Sequence, residues 1–304
     1  MKKLFNNQKI NGFAVSNLFA FGIIWLDKFI MSRDSNILIY SEFILIPMLM
    51  GLICAWFWRN LELHKTELIV QSGFNCVIAI VLSFLFLHEG AICLIMVSPL
   101  IIVFIIAGAF IGRAIFKKNN QTLNVSMFSL LVLVFVNDLI SKHQYENEVS
   151  DTITIHAPAN KVWKNVVAFK PIKQQNSFWL FKIGLPSPMA TTVDGYYKGA
   201  GRKCIFSNGY TFGEKISTFE PNKDLVFDII DQPRDPEIMN HLDLLKGEFV
   251  LKDNGEGTTT LTGNSWYKLY VFPAWYYDLW AQSIVRNVHI RVMEHIKELS
   301  EDRE

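Results

Sequence analysis

"VSDTITIHAPANKVWKNV", residues 149–166, decides how the whole chain is read. Val149, Asp151, Ile153 and Ile155 alternate with polar residues, the period of a half-buried strand. Ala157, Pro158 and Ala159 end that pattern, and Pro158 suits a first helical turn, where its missing N–H would be unpaired anyway. Val162, Trp163, Val166 and Val167 then recur at helical spacing. A strand and a helix of water-soluble type therefore start abruptly, roughly ten residues after a long apolar run has ended.

Toward the N-terminus the chain is a series of such runs. Five apolar segments lie near 12–31, 37–58, 68–88, 90–116 and 122–141. The last four reach the roughly 20 residues that a helix needs to cross a hydrocarbon core about 30 Å thick. Asp27 and Lys28 interrupt the first, which reads as a signal-anchor helix because further segments follow and no cleavage site is evident. Residues 1–142 are thus expected to be an all-α transmembrane bundle of about five spans. Lys2, Lys3 and Lys9 precede the first segment, Arg59 and Lys65 follow the second, and Arg113, Lys117 and Lys118 follow the fourth. The alternate connections hold only Lys28, Arg33 and "HEG" at 88–90. Cytoplasmic loops carry the excess of Lys and Arg. This places the N-terminus in the cytoplasm and the C-terminal half on the other face of a bacterial inner or plasma membrane. Asp27, Glu42 and Asp138 fall near segment ends and read as interfacial groups rather than parts of an ion path.

Composition fits a two-part chain. The apolar fraction of 51% and mean hydropathy of +0.24 average over unlike halves. Up to Lys142 there are 11 Lys and Arg against 7 Asp and Glu, and from His143 onward 18 against 21. Neither half has the basic excess of a nucleic-acid binder. Cys54, Cys76 and Cys93 lie in apolar runs, which leaves Cys204 alone in the soluble half, without a disulfide partner or a zinc-ligand spacing.

Toward the C-terminus, residues 143–148 read as a short linker to a domain at 149–300, followed by a tail at 301–304. "GRKCIFSNGYTFGEKI" (201–216) reads as a hairpin. With Ser207-Asn208-Gly209 as its loop and Gly209 left-handed, Phe206 pairs with Tyr210, Cys204 with Phe212 and Arg202 with Glu214. That register puts Cys204, Phe206, Phe212 and Ile216 on one face and Lys203 and Lys215 on the other; a one-residue slip mixes the two sets. Strands near 224–231, 245–253 and 257–270 follow. Their inward sets are Leu225, Phe227 and Ile229, then Phe249 and Leu251, then Leu261, Ser265 and Tyr267. A long helix at about 273–300 carries one apolar stripe of Tyr277, Ala281, Val285, Val288, Val292, Ile296 and Leu299. A single apolar face after a run of antiparallel strands must be buried against the sheet.

That order, with "ITIHAPANKVW", "GAGRKCIFSNG" at 199–209 and "GTTTLTG" followed by Tyr267, resembles the SRPBCC superfamily of START, birch-pollen-allergen and polyketide-cyclase-like proteins. The resemblance covers about half the chain and does not extend to the apolar half. It implies an α+β helix-grip domain, a curved antiparallel sheet wrapped around a long C-terminal helix, with a cavity for lipids, polyketides or other apolar molecules. On that reading Trp179, Tyr197, Phe206, Phe212, Phe227, Phe249, Tyr267 and Val288 line the cavity. Arg202, Glu214 and Ser265 supply its polar groups, and His295 and His241 lie on the helix stripe and near an entrance. An aromatic pocket with a few convergent polar groups is what a ligand site needs. Arg202 opposite Glu214 on the inward face forms a buried pair, costly unless well hydrogen-bonded.

No nucleophile–base pairing, metal constellation or phosphate-binding glycine loop is evident, so no catalytic residue, metal or cofactor is assigned. The function expected is a membrane-anchored binding protein for a hydrophobic small molecule or lipid, with the bilayer as its other partner. An alternative is a cyclase- or dehydratase-type enzyme using Arg202, Glu214 and Tyr267. Another is a ligand sensor read out by the membrane half.

Overall fold

The computed structural model describes residues 7–30, 41–87, 90–116, 145–233 and 241–301, with isolated positions at 129, 133 and 136. It divides into two compact units, Met1–His143 with Val271–Pro273, and Gln144–Tyr270 with Ala274–Glu304.

The N-terminal unit is helical: α1 (Asn7–Ile30), α2 (Ile46–Phe57) entered through a π-helical turn, α3 (Lys65–Leu82) running on into a second such turn, and α4 (Ala91–Ile115). Among the described residues only Lys65–Leu87 and Ala91–Ile115 are long and apolar enough to cross a membrane, not the four or five segments expected. The physical reasons are local. Phe43–Phe57 is an apolar helix of 15 residues. At ~1.5 Å per residue that is about 22 Å, short of a hydrocarbon core. In α1, Asn11, Ser16 and Asn17 dilute the apolar run as much as Asp27 and Lys28 do. Apart from positions 129, 133 and 136, the segment at 122–141 with Asp138 lies outside the described residues, as do the side chains of Asp27 and Glu42. Helices α2 and α4 meet backbone to backbone: a Cβ on Gly51 would collide with the Ile105 carbonyl oxygen, and one on Gly108 with that of Met48. Glycine at both positions is what allows this approach.

Among the described residues the C-terminal unit is one seven-stranded antiparallel sheet with three helices. Strand β1 (Tyr145–Ile155) leads through Pro158 into α5 (Ala159–Val167), whose Ala159, Val162, Trp163, Val166 and Val167 are all buried. A four-residue helix, α6 (Trp179–Lys182), precedes β2 (Pro188–Val193), β3 (Gly201–Phe206), β4 (Thr211–Glu220), β5 (Asp224–Asp231), β6 (Leu242–Gly255) and β7 (Thr258–Leu269). The chain closes with α7 (Ala274–Glu301), 28 residues long. The sheet order is β1-β7-β6-β5-β4-β3-β2, so β1 and β2 form its two edges.

The hairpin register holds as read: Arg202 pairs with Glu214 and Cys204 with Phe212. The Phe206 amide donates to the Tyr210 carbonyl, and Gly209 has φ of 84°. Strand β1 begins earlier than expected. Tyr145–Glu148, assigned to the linker, pairs with Trp266–Leu269 of β7. An apolar alternation cannot reveal this extension, because its inward residue is Asn147, which donates to Asp278 of α7. The core gathers Ile155, Val162, Val166, Ile216, Leu225, Phe227, Phe249, Leu251 and Leu261 around Val292, Met293 and Ile296 of α7.

Candidate functional site

Helix α7 packs on β1 and β7 at one edge of the sheet and reaches β2 at the other. Phe212, Phe227 and Phe249 are buried on the middle strands. Their rings pair, Phe206 with Phe212 at 4.9 Å and Phe227 with Phe249 at 6.2 Å between centroids. Val288 is half-buried on α7. Trp179 and Tyr197 stand apart from this set, 47% and 60% exposed. Trp179 opens the short α6, and Tyr197 sits in the turn before Gly199, so neither element carries its ring inward.

Arg202 and Glu214 form the buried ion pair that the register implied, 3% and 5% exposed. The guanidinium is also held by the Val167 carbonyl, 3.1 Å from Nε, and by the Phe227 ring, whose centroid lies 4.4 Å away. Burial pushes the Glu214 carboxyl above its ordinary pKa and outweighs the opposing pull of Arg202. Loss of hydration, with Glu214 nearby, pushes the Cys204 thiol up to about 12, so it is no nucleophile near neutral pH.

A second cluster joins a hydroxyl, an imidazole and a carboxylate that the sequence alone does not show as neighbours. Ser265 Oγ lies 2.8 Å from His289 Nε2, and His289 Nδ1 lies 3.0 Å from Asp151 Oδ2. The other carboxylate oxygen of Asp151 accepts from Arg286 Nε at 2.8 Å. An ionised carboxylate only accepts, so Nδ1 carries the proton and Nε2 accepts from the serine hydroxyl. His289 is 5% exposed, and its burial lowers the imidazole pKa in spite of Asp151. The neutral tautomer fits these partners. The three residues come from β1, β7 and α7, and the β1–β7 register sets Ser265 opposite Val149, two residues from Asp151 on the same face.

A third polar group lies further along α7. Asp278 accepts from the Tyr267 hydroxyl at 2.5 Å, from Asn147 Nδ2 at 3.0 Å and from Gln282 Nε2 at 2.7 Å. Tyr267 is fully buried, and burial together with its bond to Asp278 raises its pKa. His295 Nε2 sits 2.9 Å from the Lys170 carbonyl. His241 is half-buried at the start of β6, and its carbonyl accepts from the Tyr270 amide. A recess of about 50 Å³ beside His295 is lined by Ile172, Phe178, Phe181, Ile290 and Arg291 among others. It has room for one or two waters, against the ~300 Å³ at which ligand pockets begin.

Sequence reasoning found Ser265 and Tyr267 but missed their partners. The signal was present: Asp278, Val285, His289, Val292 and Ile296 recur at intervals of seven, four, three and four. After Val285 the helical period allows both Val288 and His289; apolarity favours Val288, whereas the fold buries His289 and leaves Val288 half-buried.

One strand, two helices, six further strands and a long helix lying across a seven-stranded antiparallel sheet make the C-terminal unit a domain of helix-grip type. Solved structures matching this part of the chain include norcoclaurine synthase from Thalictrum flavum, at 10% identity over 54% of this chain and 99% of that one, with a TM-score of 0.38. A protein from Nitrosospira multiformis matches at 14% identity over 51% of this chain and 97% of its own, with a TM-score of 0.35. One from Mesorhizobium loti matches at 18% identity over 50% and 96%, with a TM-score of 0.34. No family model and no curated protein matches the chain.

Proposed function

We propose that the C-terminal unit binds an apolar small molecule, lipid or polyketide-like, and that the N-terminal unit holds it at a bilayer. The observation that carries this reading is the placement of α7 against both edges of the sheet, with Phe206, Phe212, Phe227 and Phe249 ranged along the middle strands. An apolar face between a sheet and one helix is where a ligand removed from water gains ~25 cal/mol per Å² buried. Ser265, half-buried and hydrogen-bonded to His289, is a polar group through which a ligand's carbonyl or hydroxyl is recognised.

The bilayer part draws on two features. Lys65–Leu87 and Ala91–Ile115 have spanning length and composition. Trp179 on α6, Ile183 just after it, and Trp275 and Leu279 at the start of α7 are exposed, and the Trp179 and Trp280 rings lie 6.4 Å apart. Tryptophan favours the membrane–water interface.

Native mass spectrometry of the full-length chain, extracted from membranes in mild detergent, tests the reading. It is expected to retain an apolar mass that Phe212→Asp or Phe227→Asp abolishes. A chain that carries no such mass, and whose melting temperature does not move in lipid extract, would sink it.

A further inference from the structure

We propose that Ser265 is a nucleophile for acyl transfer from a lipophilic ester or thioester, with His289 as its base and Asp151 as a positioning residue. The inference rests on the ligand-binding reading above and adds a reaction to it. The two contacts that define such a relay are both present, serine hydroxyl to Nε2 at 2.8 Å and Nδ1 to carboxylate at 3.0 Å. They assign donor and acceptor roles in the order that hydroxyl activation requires. Three residues far apart in sequence, on two strands and a helix, converge in that order. Arg286 fixes the second oxygen of Asp151, which orients the carboxylate toward the imidazole.

The surroundings name the substrate class. Across the sheet from Ser265 stands Gly247, where a Cβ would strike the Phe227 ring, so that ring lies on the backbone beside the serine. Two residues along β7, Gly263 is covered by Met293 and Phe249. The serine hydroxyl is thus bordered by aromatic and aliphatic surface, and among the described residues no cationic side chain is bonded to it. That chemistry fits a long-chain acyl group rather than a charged ester.

In the step proposed, Oγ bonds to the acyl carbon as its proton passes to His289 Nε2, while Asp151 stabilises the imidazolium. The tetrahedral intermediate expels the alcohol or thiol, which takes that proton from His289, leaving Ser265 acylated. Water, deprotonated by the same Nε2, then adds to the acyl carbon; the C–Oγ bond breaks, Oγ takes the proton back from Nε2, and the acid leaves. Strand β7 lies between β1 and β6 and commits its backbone amides to their two ladders, so the serine's own N–H is not a donor to the oxyanion. Loss of one such donor costs about 10²–10³-fold in turnover. Slow turnover is therefore expected, and covalent capture is the better readout.

Full-length protein in detergent is treated with a long-chain alkyl fluorophosphonate, and the modified peptide is identified by mass. Stoichiometric labelling of Ser265 is expected, absent in Ser265→Ala and slowed at least tenfold in His289→Gln and Asp151→Asn, with melting temperatures recorded for each. A dansyl fatty acid serves in parallel as a probe of apolar binding. Folded protein that binds this probe but is never labelled at Ser265 overturns the nucleophile and leaves the binding reading standing. Protein that neither binds the probe nor is labelled overturns both. Labelling at the wild-type rate in folded His289→Gln shows a serine that needs no relay and also overturns the proposal.

Discussion

The two units differ in the polar groups they bury: nearly all neutral in one, both neutral and ionisable in the other. In the N-terminal unit Ser16, Asn17, Gln71, Ser72 and Asn75 are buried and, Lys9 apart, all the buried polar side chains described there are uncharged. Leu18, Trp25 and Phe86 face outward, each more than two-thirds exposed. In the C-terminal unit the buried polar groups include Arg202, Glu214, Asp278, His289 and His295, all ionisable. The difference follows from what each unit is surrounded by on the proposed reading. Helices in lipid gain nothing by burying apolar surface against one another, so small residues and neutral hydrogen bonds hold them together. A sheet and helix in water are held by apolar burial, and admit charge only where a partner neutralises it.

The strongest way to break this comparison is through the glycine contact. Gly108→Leu puts a side chain where the Met48 backbone lies, which neither helix can vacate without separating. Overpacking costs about 1–3 kcal/mol when side chains can shift. Here backbone must move, so loss of folded, monodisperse protein on detergent extraction is expected. Gly22→Ala is the matched control, since nothing lies within 4 Å of its added Cβ. Equal behaviour of the two variants would remove close packing from the account of the N-terminal unit.

Next in size is the ion pair. Glu214→Leu leaves the Arg202 charge buried with only the Val167 carbonyl and the Phe227 ring for company. Breaking such a pair costs about 3–5 kcal/mol, whereas replacing both members with apolar residues of similar volume is nearly neutral. Urea unfolding of Glu214→Leu and of Arg202→Met/Glu214→Leu measures both, and the double variant is expected to regain most of the loss. A double variant no better than the single would make the pair part of a ligand site rather than of the core.

A smaller effect is expected from pH. His289 has a folded-state pKa below its ordinary value, because burial outweighs the pull of Asp151. Its contribution to stability is therefore present above the ordinary imidazole pKa of about 6.5 and is lost as pH falls through the folded value. The melting temperature of the C-terminal transition should fall between pH 7.5 and pH 5.5, and more steeply than in His289→Gln. Identical slopes would mean that His289 is not held neutral, and would weaken the serine–histidine pairing as well.

How much of this was readable in advance also divides between the units. The hairpin 201–216 was legible to the residue, because a three-residue turn with Gly209 and two mutually exclusive side-chain faces leave one register. The inward sets of β5, β6 and β7 followed from period two in the same way. What escaped were inward residues that are polar. Asn147 hid the first turn of β1, and Asp278 and His289 lay on a helix stripe sought by its apolar members. A polar residue inside is legible only once its partner is known, and these partners are 131 and 138 positions away in the chain. In the N-terminal unit, run length counted apolar residues without weighing what the runs contain. Gly51 and Gly108 read as ordinary members of an apolar segment, while in the fold they are the places where two backbones meet.

The smallest effect sharpens the comparison most. Asn17 Nδ2 donates to Asn75 Oδ1 at 2.7 Å, Ser16 Oγ to the same oxygen at 3.3 Å, and Asn75 Nδ2 to Cys54 Sγ at 3.4 Å. Asn75→Leu removes all three contacts while keeping the same branching at Cγ, in a larger side chain. Ser16 Oγ and Asn17 Nδ2 each keep a bond to the Phe13 carbonyl, at 3.1 and 2.8 Å, so the substitution orphans no strong donor. Side-chain hydrogen bonds between membrane helices average about 0.6 kcal/mol. Asn75→Leu is accordingly expected to cost about 1–2 kcal/mol in a detergent or bicelle unfolding titration, well under the cost of Glu214→Leu. Three severed contacts in one unit would then weigh less than one severed pair in the other, because a neutral group released in the helical unit keeps local partners while the charge released in the sheet unit keeps no opposite charge. If Asn75→Leu proved the costlier of the two, the amide cluster would be holding more than two helices together, and the N-terminal unit would have to be read as a polar site in its own right.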